Sequence, residues 1–320
     1  MQQNIGWYFP QTGGPEVLAA TELAMPEPGE HEVLIKVLAS GFNPIDSKIR
    51  AGLAPIAADN KVPGCDACGD VIKVGKQVAG FAVGDRVYGC IGGVAGSSGT
   101  LCQYVAADAH LLAKAPQSIS IAQAATLPLV AITAHEALQR LQLHSNDSLL
   151  IMGGSGGVGR MAIQLARLQG AQVTATAGSE ARQQQLRSLG VEAYHHNDVE
   201  QLGARFNKVL DTFGGQSLLN ALLAARPGGH VATINARNTY DLSQAHAKGL
   251  TLHAVFMLLP LLTGNGRADH GVFLQQLAEW VDLGLVSAAE AEEAPAADVA
   301  AVHERYEAGE LKHKVAFVLP

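Results

Sequence analysis

Apolar residues change their spacing along this chain, and each change marks an element. The clearest case is Ser148 to Gly170, SLLIMGGSGGVGRMAIQLARLQG. Leu149, Leu150, Ile151 and Met152 form an unbroken apolar run, the pattern of a strand buried on both faces of a parallel sheet. From Val158 onward Met161, Ala162, Leu165, Ala166 and Leu168 recur at helical spacing until Gly170 stops the pattern. A glycine-rich turn joins the two.

The segments on either side differ in character. Before the turn the spacing is mostly that of strands: Glu32 to Ala39, Val71 to Val74, Arg86 to Tyr88 and Leu101 to Ala106, separated by Gly75, Gly80, Gly84 and the glycine and serine loop Gly92 to Thr100. Ile121 to Ala125 and Leu127 to Leu141 are helical. After the turn, strands at Gln172 to Ala177, Lys208 to Asp211 and His230 to Asn235 alternate with helices at Glu180 to Leu189 and Gln216 to Ala225. Such alternation predicts an α/β fold with a doubly wound parallel sheet and right-handed crossovers. Leu250 to Met257 adds a strand, Gly271 to Leu283 and Val299 to Tyr306 are helices, and Val315 to Leu319 is a strand without a partner in the second half. It is expected to return to the β-rich first part.

Composition narrows the class. At 320 residues, with 48% hydrophobic and 16% charged positions, the chain has room for two domains and a large core. A net charge of −7 and the lack of any basic run argue against a nucleic-acid partner. The N-terminus has neither the charged nor the apolar region of a signal peptide, and the apolar run Leu250 to Leu262 is interrupted by His253 and Pro260 and too short for a bilayer. A cytoplasmic protein is expected, without membrane contact. Cys65, Cys68, Cys90 and Cys102 fit that setting.

The turn itself carries chemistry. Gly154, Gly156 and Gly159 spell G-x-G-x-x-G, with Ser155, Gly157 and Val158 between them. Glycines there allow a tight turn, close approach of a pyrophosphate and helix-to-strand packing, while the helix N-terminus offers free N–H groups. With 35 glycines in the chain the motif alone is weak, and the flanking strand and helix give it weight. A dinucleotide site is expected at Gly154 to Gly159. No acidic residue ends the strand at Ala177 and Gly178, where one would bind the ribose 2′-hydroxyl and repel a 2′-phosphate. Ser179 offers a hydroxyl donor and Arg182 a cation, which favours NADPH; the alternative for Arg182 is a solvated helix charge.

These elements, with GGPEVL at Gly13 to Leu18, GFNPIDSKIRAG at Gly41 to Gly52, PGCDACGDV at Pro63 to Val71, FAVGDRVYG at Phe81 to Gly89, ATLPLVAITAHEAL at Ala125 to Leu138 and GGSGGVG at Gly153 to Gly159, resemble the medium-chain dehydrogenase/reductase superfamily, in its zinc-independent quinone oxidoreductase branch. The resemblance implies a GroES-like β-rich catalytic domain of residues 1–126 and 269–320, a Rossmann domain of residues 127–268, and an active site in the cleft. Zinc-using relatives would ligate at positions held here by Asn43, Cys65 with Asp66, and the neighbourhood of Leu127 and Pro128. Only Cys65 and Asp66 are ligand types, short of the three protein ligands a catalytic zinc wants, so no metal is expected. Cys65 and Cys68 form a lone C-x-x-C, read as small buried residues, and the adjoining His195 and His196 are expected in a solvated loop.

The resemblance also places residues. It puts Asn43 and Asp46 near the nicotinamide ribose and the substrate, as the catalytic pair. Asn43 would donate a hydrogen bond, and Asp46 would touch substrate or hold its loop. It places Thr133 near the nicotinamide and phosphates, Arg182 where a lysine usually meets the 2′-phosphate, Asn197 where the family often has an adenosine-side tyrosine, and Lys314 at the lysine of a closing G-K-V-V. Asn235 and Phe256 follow strands, where ligands bind in open α/β sheets. Tyr240 would reach an enolate oxygen or sit at the surface. The loops Leu53 to Asp59 and Gly92 to Ser98, small and flexible in sequence, do not disclose the pocket.

Without a metal the hydride acceptor must arrive activated, as a quinone or α,β-unsaturated carbonyl does. The alternatives are a zinc alcohol dehydrogenase using Cys65 and Asp66, and an NADPH-binding protein without turnover. The family and the apolar edge at Leu250 to Leu259 together predict a homodimer formed by sheet extension.

Overall fold

The computed structural model describes residues 3–57 and 61–320, which divide into two compact units, residues 1–129 with 258–320 and residues 130–257. Ala58 and Asp59 of the expected pocket loop lie outside the described residues.

The first unit opens with the antiparallel pair β1 (Asn4–Tyr8) and β2 (Ala19–Leu23), neither of which the apolar spacing announces. The centre of its main sheet is β3 (Glu32–Gly41), whose alternating apolar side chains Val33, Ile35 and Val37 are at most 1% exposed. Helix α1 (Pro44–Arg50) follows, then β4 (Asp66–Val74), β5 (Arg86–Cys90), β6 (Tyr104–Asp108), β7 (Leu112–Lys114) and helices α2 (Ile121–Ala125) and α3 (Pro128–Arg140). The strand expected from Leu101 starts only at Tyr104. The Leu101 carbonyl and Cys102 are instead engaged by Trp7 and Gly6 of β1, which draws that segment off the main ladder.

The second unit holds β8 (Ser148–Met152), α4 (Gly157–Leu168), β9 (Gln172–Ala177), α5 (Glu180–Ser188), β10 (Glu192–His195), β11 (Phe206–Asp211), α6 (Gln216–Ala224), β12 (Ala225–Thr233), α7 (Ser243–Lys248) and β13 (Thr251–Ala254). Its six strands are parallel in the order β10-β9-β8-β11-β12-β13. That is the doubly wound order with its switch point between β8 and β11. Leu149 to Met152 are at most 1% exposed, as strands covered on both faces require. β10 ends at His195, so the two histidines lie at a strand end and half-buried; the polar sequence EAYHH hides an edge strand. β13 stops at Ala254, three residues short of the expected strand.

The chain then returns to the first unit through α8 (Leu259–Thr263), α9 (Arg267–Asp282), β14 (Ala291–Pro295), α10 (Val299–Glu307) and β15 (Lys314–Val318). β15 pairs antiparallel with β3 through Ala316 and Gly41, so the strand that lacked a partner does complete the first sheet. That sheet runs β14-β15-β3-β4-β5-β7, with β6 also on β3. β14, sequence AEEAP, went unread because it is polar, ends in proline and occupies the sheet edge.

Candidate functional site

In the second unit the glycine turn is built as a phosphate cradle. A Cβ on Gly159 would stand 2.2 Å from the Gly153 carbonyl oxygen, and one on Gly154 would stand 2.6 Å from Ala175 Cβ, so the helix and both strands close only around glycine. At Gly156, which caps α4, the nearest atom to a Cβ is 3.5 Å away and the residue is exposed. There the open space faces an incoming ligand instead of the fold. Arg160 N–H is the first to bond back, to Gly156, which leaves the N–H groups of Gly157, Val158 and Gly159 at a helix start with its partial positive charge. Ser155 is half-buried in the turn. These features fit a pyrophosphate.

At the end of β9, Gly178 and Ser179 are exposed, and Ser179 caps α5 by accepting from Arg182 N–H at 3.4 Å. Arg182 is exposed on that helix. No carboxylate stands at the strand tip, which suits a 2′-phosphate. Asn197 donates its backbone N–H to His195 Nδ1 at 3.2 Å, and His195 Nε2–H in turn donates to the Gly178 carbonyl at 3.2 Å. Sequence alone missed this contribution of the histidines. Their signal was their distance of about one βαβ unit from the glycines.

Beyond β11 and β12, Asp211 is fully buried and holds Thr233 Oγ1 at 2.7 Å and the N–H groups of Phe213 and Gly214. Asn235 donates its side-chain amide to the Phe213 carbonyl at 2.6 Å, tying the two strand-end loops together. Tyr240, expected at an enolate or free at the surface, has its hydroxyl engaged on both sides: it accepts from Gly215 N–H at 2.9 Å and donates to the Asn235 carbonyl at 3.3 Å. Phe256 is 45% exposed just past β13, and Thr133 is buried within α3.

The first unit carries a buried polar cluster. Asn43 caps α1 and is fully buried. Its backbone N–H donates to Asp46 Oδ2 at 2.8 Å, its Nδ2 donates to Asp66 Oδ2 at 2.8 Å, and its Oδ1 accepts from Lys314 Nζ at 2.9 Å. Leu129 N–H donates to both Asp66 oxygens at 3.0 and 3.1 Å, and the Cys65 thiol donates to Asp46 Oδ1 at 3.6 Å. Burial pushes Asp46 up to about 7, against the pull of the Asn43 N–H and of Lys314. Burial likewise pushes Asp66 up to about 6, opposed by Asn43 and Lys314, while Lys314 is lowered by desolvation against the attraction of both carboxylates. Asn43, Asp46 and Lys314, predicted separately from the sequence, thus meet in one network. Asp66, weighed only as a zinc ligand, is its second carboxylate.

The fold, a GroES-like β unit and a doubly wound nucleotide-binding unit, is that of the two-domain dehydrogenase/reductase class, and comparison with known proteins agrees. The alcohol dehydrogenase GroES-like domain matches residues 29–117 and the zinc-binding dehydrogenase family matches residues 157–263. The NADPH-dependent alkenal/one oxidoreductase of Arabidopsis thaliana is 36% identical over 73% of this chain and 63% of its own length, and the human quinone oxidoreductase is 32% identical over 72% of this chain and 73% of its own. The solved structure of an alcohol dehydrogenase superfamily protein from Novosphingobium aromaticivorans is 34% identical, with a TM-score of 0.89 and full coverage of both chains. The chain belongs to the medium-chain dehydrogenase/reductase superfamily, in its zinc-independent quinone oxidoreductase branch. It spans 53–63% of the length of the plant relatives it matches.

Zinc, which the second family's description implies, does not fit this donor set. The Cys65 thiol donates a hydrogen bond to Asp46 and is pushed up to about 11, Asp66 is occupied by three donated hydrogen bonds, and an ammonium group stands beside both carboxylates. Among the described residues no three His, Cys, Asp or Glu side chains are grouped to hold a metal ion.

Proposed function

We propose that the protein transfers a hydride from NADPH to a quinone or to an α,β-unsaturated carbonyl compound without a metal. The observation that carries the acceptor class is the Asn43, Asp46, Asp66 and Lys314 network, which fills the family's metal position with an internally satisfied cation. A site with no Lewis acid must take an acceptor already polarised by conjugation. The Arabidopsis and human relatives, by name, act on alkenals or alkenones and on quinones.

Gly154 to Gly159 would hold the pyrophosphate, and Gly178, Ser179, Arg182 and Asn197 the adenosine ribose with its 2′-phosphate. Thr133, Asn235 and Phe256 are proposed on the nicotinamide side. Bound there, NADPH supplies the hydride. Asn43 and Asp46 act as the catalytic pair in this reading, with Lys314 fixing the Asn43 amide. No side chain here is assigned as proton donor, so water supplies the proton. The four free, buried cysteines support a reducing compartment, the cytoplasm, and the edge strand β13 supports a homodimer by sheet extension.

The test is loss of reduced-nicotinamide absorbance by chelator-treated protein, with NADPH and NADH against ortho- and para-quinones, enones and simple aldehydes. Turnover of quinone or enone with NADPH that survives chelation is the expected result. Activity confined to alcohols or aldehydes and lost on chelation overturns it in favour of a zinc enzyme. Tight NADPH binding with no turnover overturns it in favour of a binding role.

A further inference from the structure

We propose that Lys208, His230, His253 and Arg140 form an anion site on the face of the second unit's sheet turned away from α6, and that it takes a compact dianion, inorganic phosphate or the head of a small phosphate monoester. The site is separate from the glycine turn and stands without the NADPH reading.

Register puts three of these residues on one face. β11 and β12 pair Lys208 with His230, and β12 and β13 pair Ala232 with His253, so the three side chains point to the same side. Val209 and Val231 point the other way and pack with Leu218 and Leu222 of α6. On the face away from α6, β8 offers Leu149 and Ile151, both fully buried, as a covered strand should. β11 to β13 instead bring an ammonium and two imidazoles there.

The two rings stack, with centroids 5.7 Å and planes 13° apart, and His230 Nδ1 lies 3.4 Å from His253 Nε2. One proton joins these facing nitrogens, so one ring donates and the other accepts. In the uncharged pair the accepting ring carries N–H at its outer nitrogen, and the donating ring has a bare lone pair there. The outer nitrogens, His230 Nε2 and His253 Nδ1, have no partner among the described residues, and neither is sealed from solvent. A single added proton makes both of them donors.

Lys208 supplies charge. It is 7% exposed, and its ammonium has no hydrogen-bond or ion-pair partner among the described residues, a costly state for a buried cation with no anion to meet. Burial lowers it, Asp147 opposes that, and Arg226 adds to it. Asp147 is already taken, by the His144 N–H at 2.8 Å and by Asn207 Nδ2. Burial and then Lys208 hold His230 below the ordinary histidine range, against Asp147. Burial, His230, Arg140 at the exposed end of α3, and Lys208 do the same to His253. The pair is therefore uncharged near pH 7 while nothing is bound.

A dianion reverses that balance. Lys208 and Arg140 match its two charges, and the imidazolium formed beside it offers charge-assisted N–H donors from adjacent rings. Rings this close suit one compact ion better than the two ends of a dicarboxylate. The same cations repel a metal, and among the described residues no third ligand joins the histidines to hold one. Binding takes up a proton, so affinity rises as pH falls.

The experiment uses the full chain with inorganic sulfate, inorganic phosphate and glycerol 3-phosphate as probes. The histidine ring protons are titrated by NMR, and binding is measured by calorimetry in buffers of different ionisation enthalpy. Sulfate holds no proton of its own near neutral pH, so uptake with it belongs to the protein. Expected for the wild type are an upward move of the His230 and His253 titrations with each probe and uptake of about one proton with sulfate. H230Q/H253Q is expected to lose the uptake and about tenfold in affinity near pH 6.5, and K208M to weaken binding while keeping its pH dependence. Tighter binding of glycerol 3-phosphate than of phosphate makes the occupant a monoester, and the reverse makes it the free ion; both uphold the site. Unmoved His230 and His253 titrations in the wild type overturn the proposal without need of any variant. Binding that R182A removes and H230Q/H253Q keeps belongs to the glycine-turn side of the unit and overturns it as well.

Discussion

Lys314 Nζ donates to Asn43 Oδ1 at 2.9 Å, and the two residues stand 271 positions apart in the chain. The same ammonium donates to the Phe42 carbonyl at 2.9 Å and is the cation nearest in effect to Asp46 and Asp66. K314M leaves a buried amide oxygen and two buried carboxylates without it. The expected loss is about 2–3 kcal/mol of stability, the scale of hydrogen bonds to a charged group, read from urea unfolding. An unchanged midpoint at unchanged slope refutes it.

Asp46 gives the first unit a pH dependence of defined sign. Its ordinary value is 3.8 and burial lifts it to about 7, so between those limits the folded chain holds a proton that the unfolded chain has released. The contribution of the protonated carboxyl is complete below 3.8 and is lost as pH rises through 7. Asp66 acts in the same direction up to about 6, and the two titrate as a coupled pair. Stability is expected to fall by about 1 kcal/mol per pH unit while one proton is lost, and D46N, whose amide oxygen still caps α1, to flatten part of that slope. Denaturant titrations across the range decide it; a D46N slope equal to wild type is the contrary result.

Arg182 is exposed on α5 with its backbone N–H held by Ser179. R182A is expected to weaken NADPH by about 1.5–3 kcal/mol and to leave NADH unchanged, as for one charge-assisted hydrogen bond. Fluorescence titration with each nucleotide measures it. Equal losses would make Arg182 a structural residue.

Tyr240 links the Gly215 N–H to the Asn235 carbonyl. A proton donor removed from an enzyme costs about 10²–10⁴-fold in rate, whereas a lost loop tie costs stability, about 1 kcal/mol. Y240F is expected to keep its rate constant within about threefold and to melt earlier. A fall of two decades in turnover with an unshifted melting point would restore it as the acid.

Much of this molecule is legible in its sequence because its central parts are periodic. Leu149 to Met152, the glycine turn and α4 state their structure outright, since a strand covered on both faces must be apolar throughout and a phosphate turn must be glycine. Val315 to Leu319 could be assigned to the first sheet because no neighbour in the second half had room for it. The unread elements are those whose stability comes from elsewhere: β1 and β2 lean on each other, β10 and β14 are polar sheet edges, and α1 is set by Pro44 and the Asp46 cap. In the first unit Asn43, Asp46 and Lys314 can be singled out one by one, yet the partners that join them cannot. Asp66 with Leu129 N–H, and Thr176 with His196, join positions 63 and 20 apart, and no local pattern encodes such pairings.

The pairing of β15 with β3 also has a consequence for biosynthesis. As the ribosome works forward, the strand that must lie against Ala39 to Gly41 is made long after β3 itself. At roughly 5–20 residues per second the wait from Asn43 to Lys314 is about 15–55 s. During it the Ala39 to Gly41 end of β3 is a bare strand edge beyond the part that β6 covers, and the acids of the polar cluster lack the Lys314 cation. Residues 130–257 meanwhile hold a complete parallel sheet of their own and have nothing to wait for. A nascent chain stalled or cut before Lys314 would present a finished nucleotide fold attached to an open, sticky sheet, the form that chaperones and proteases recognise.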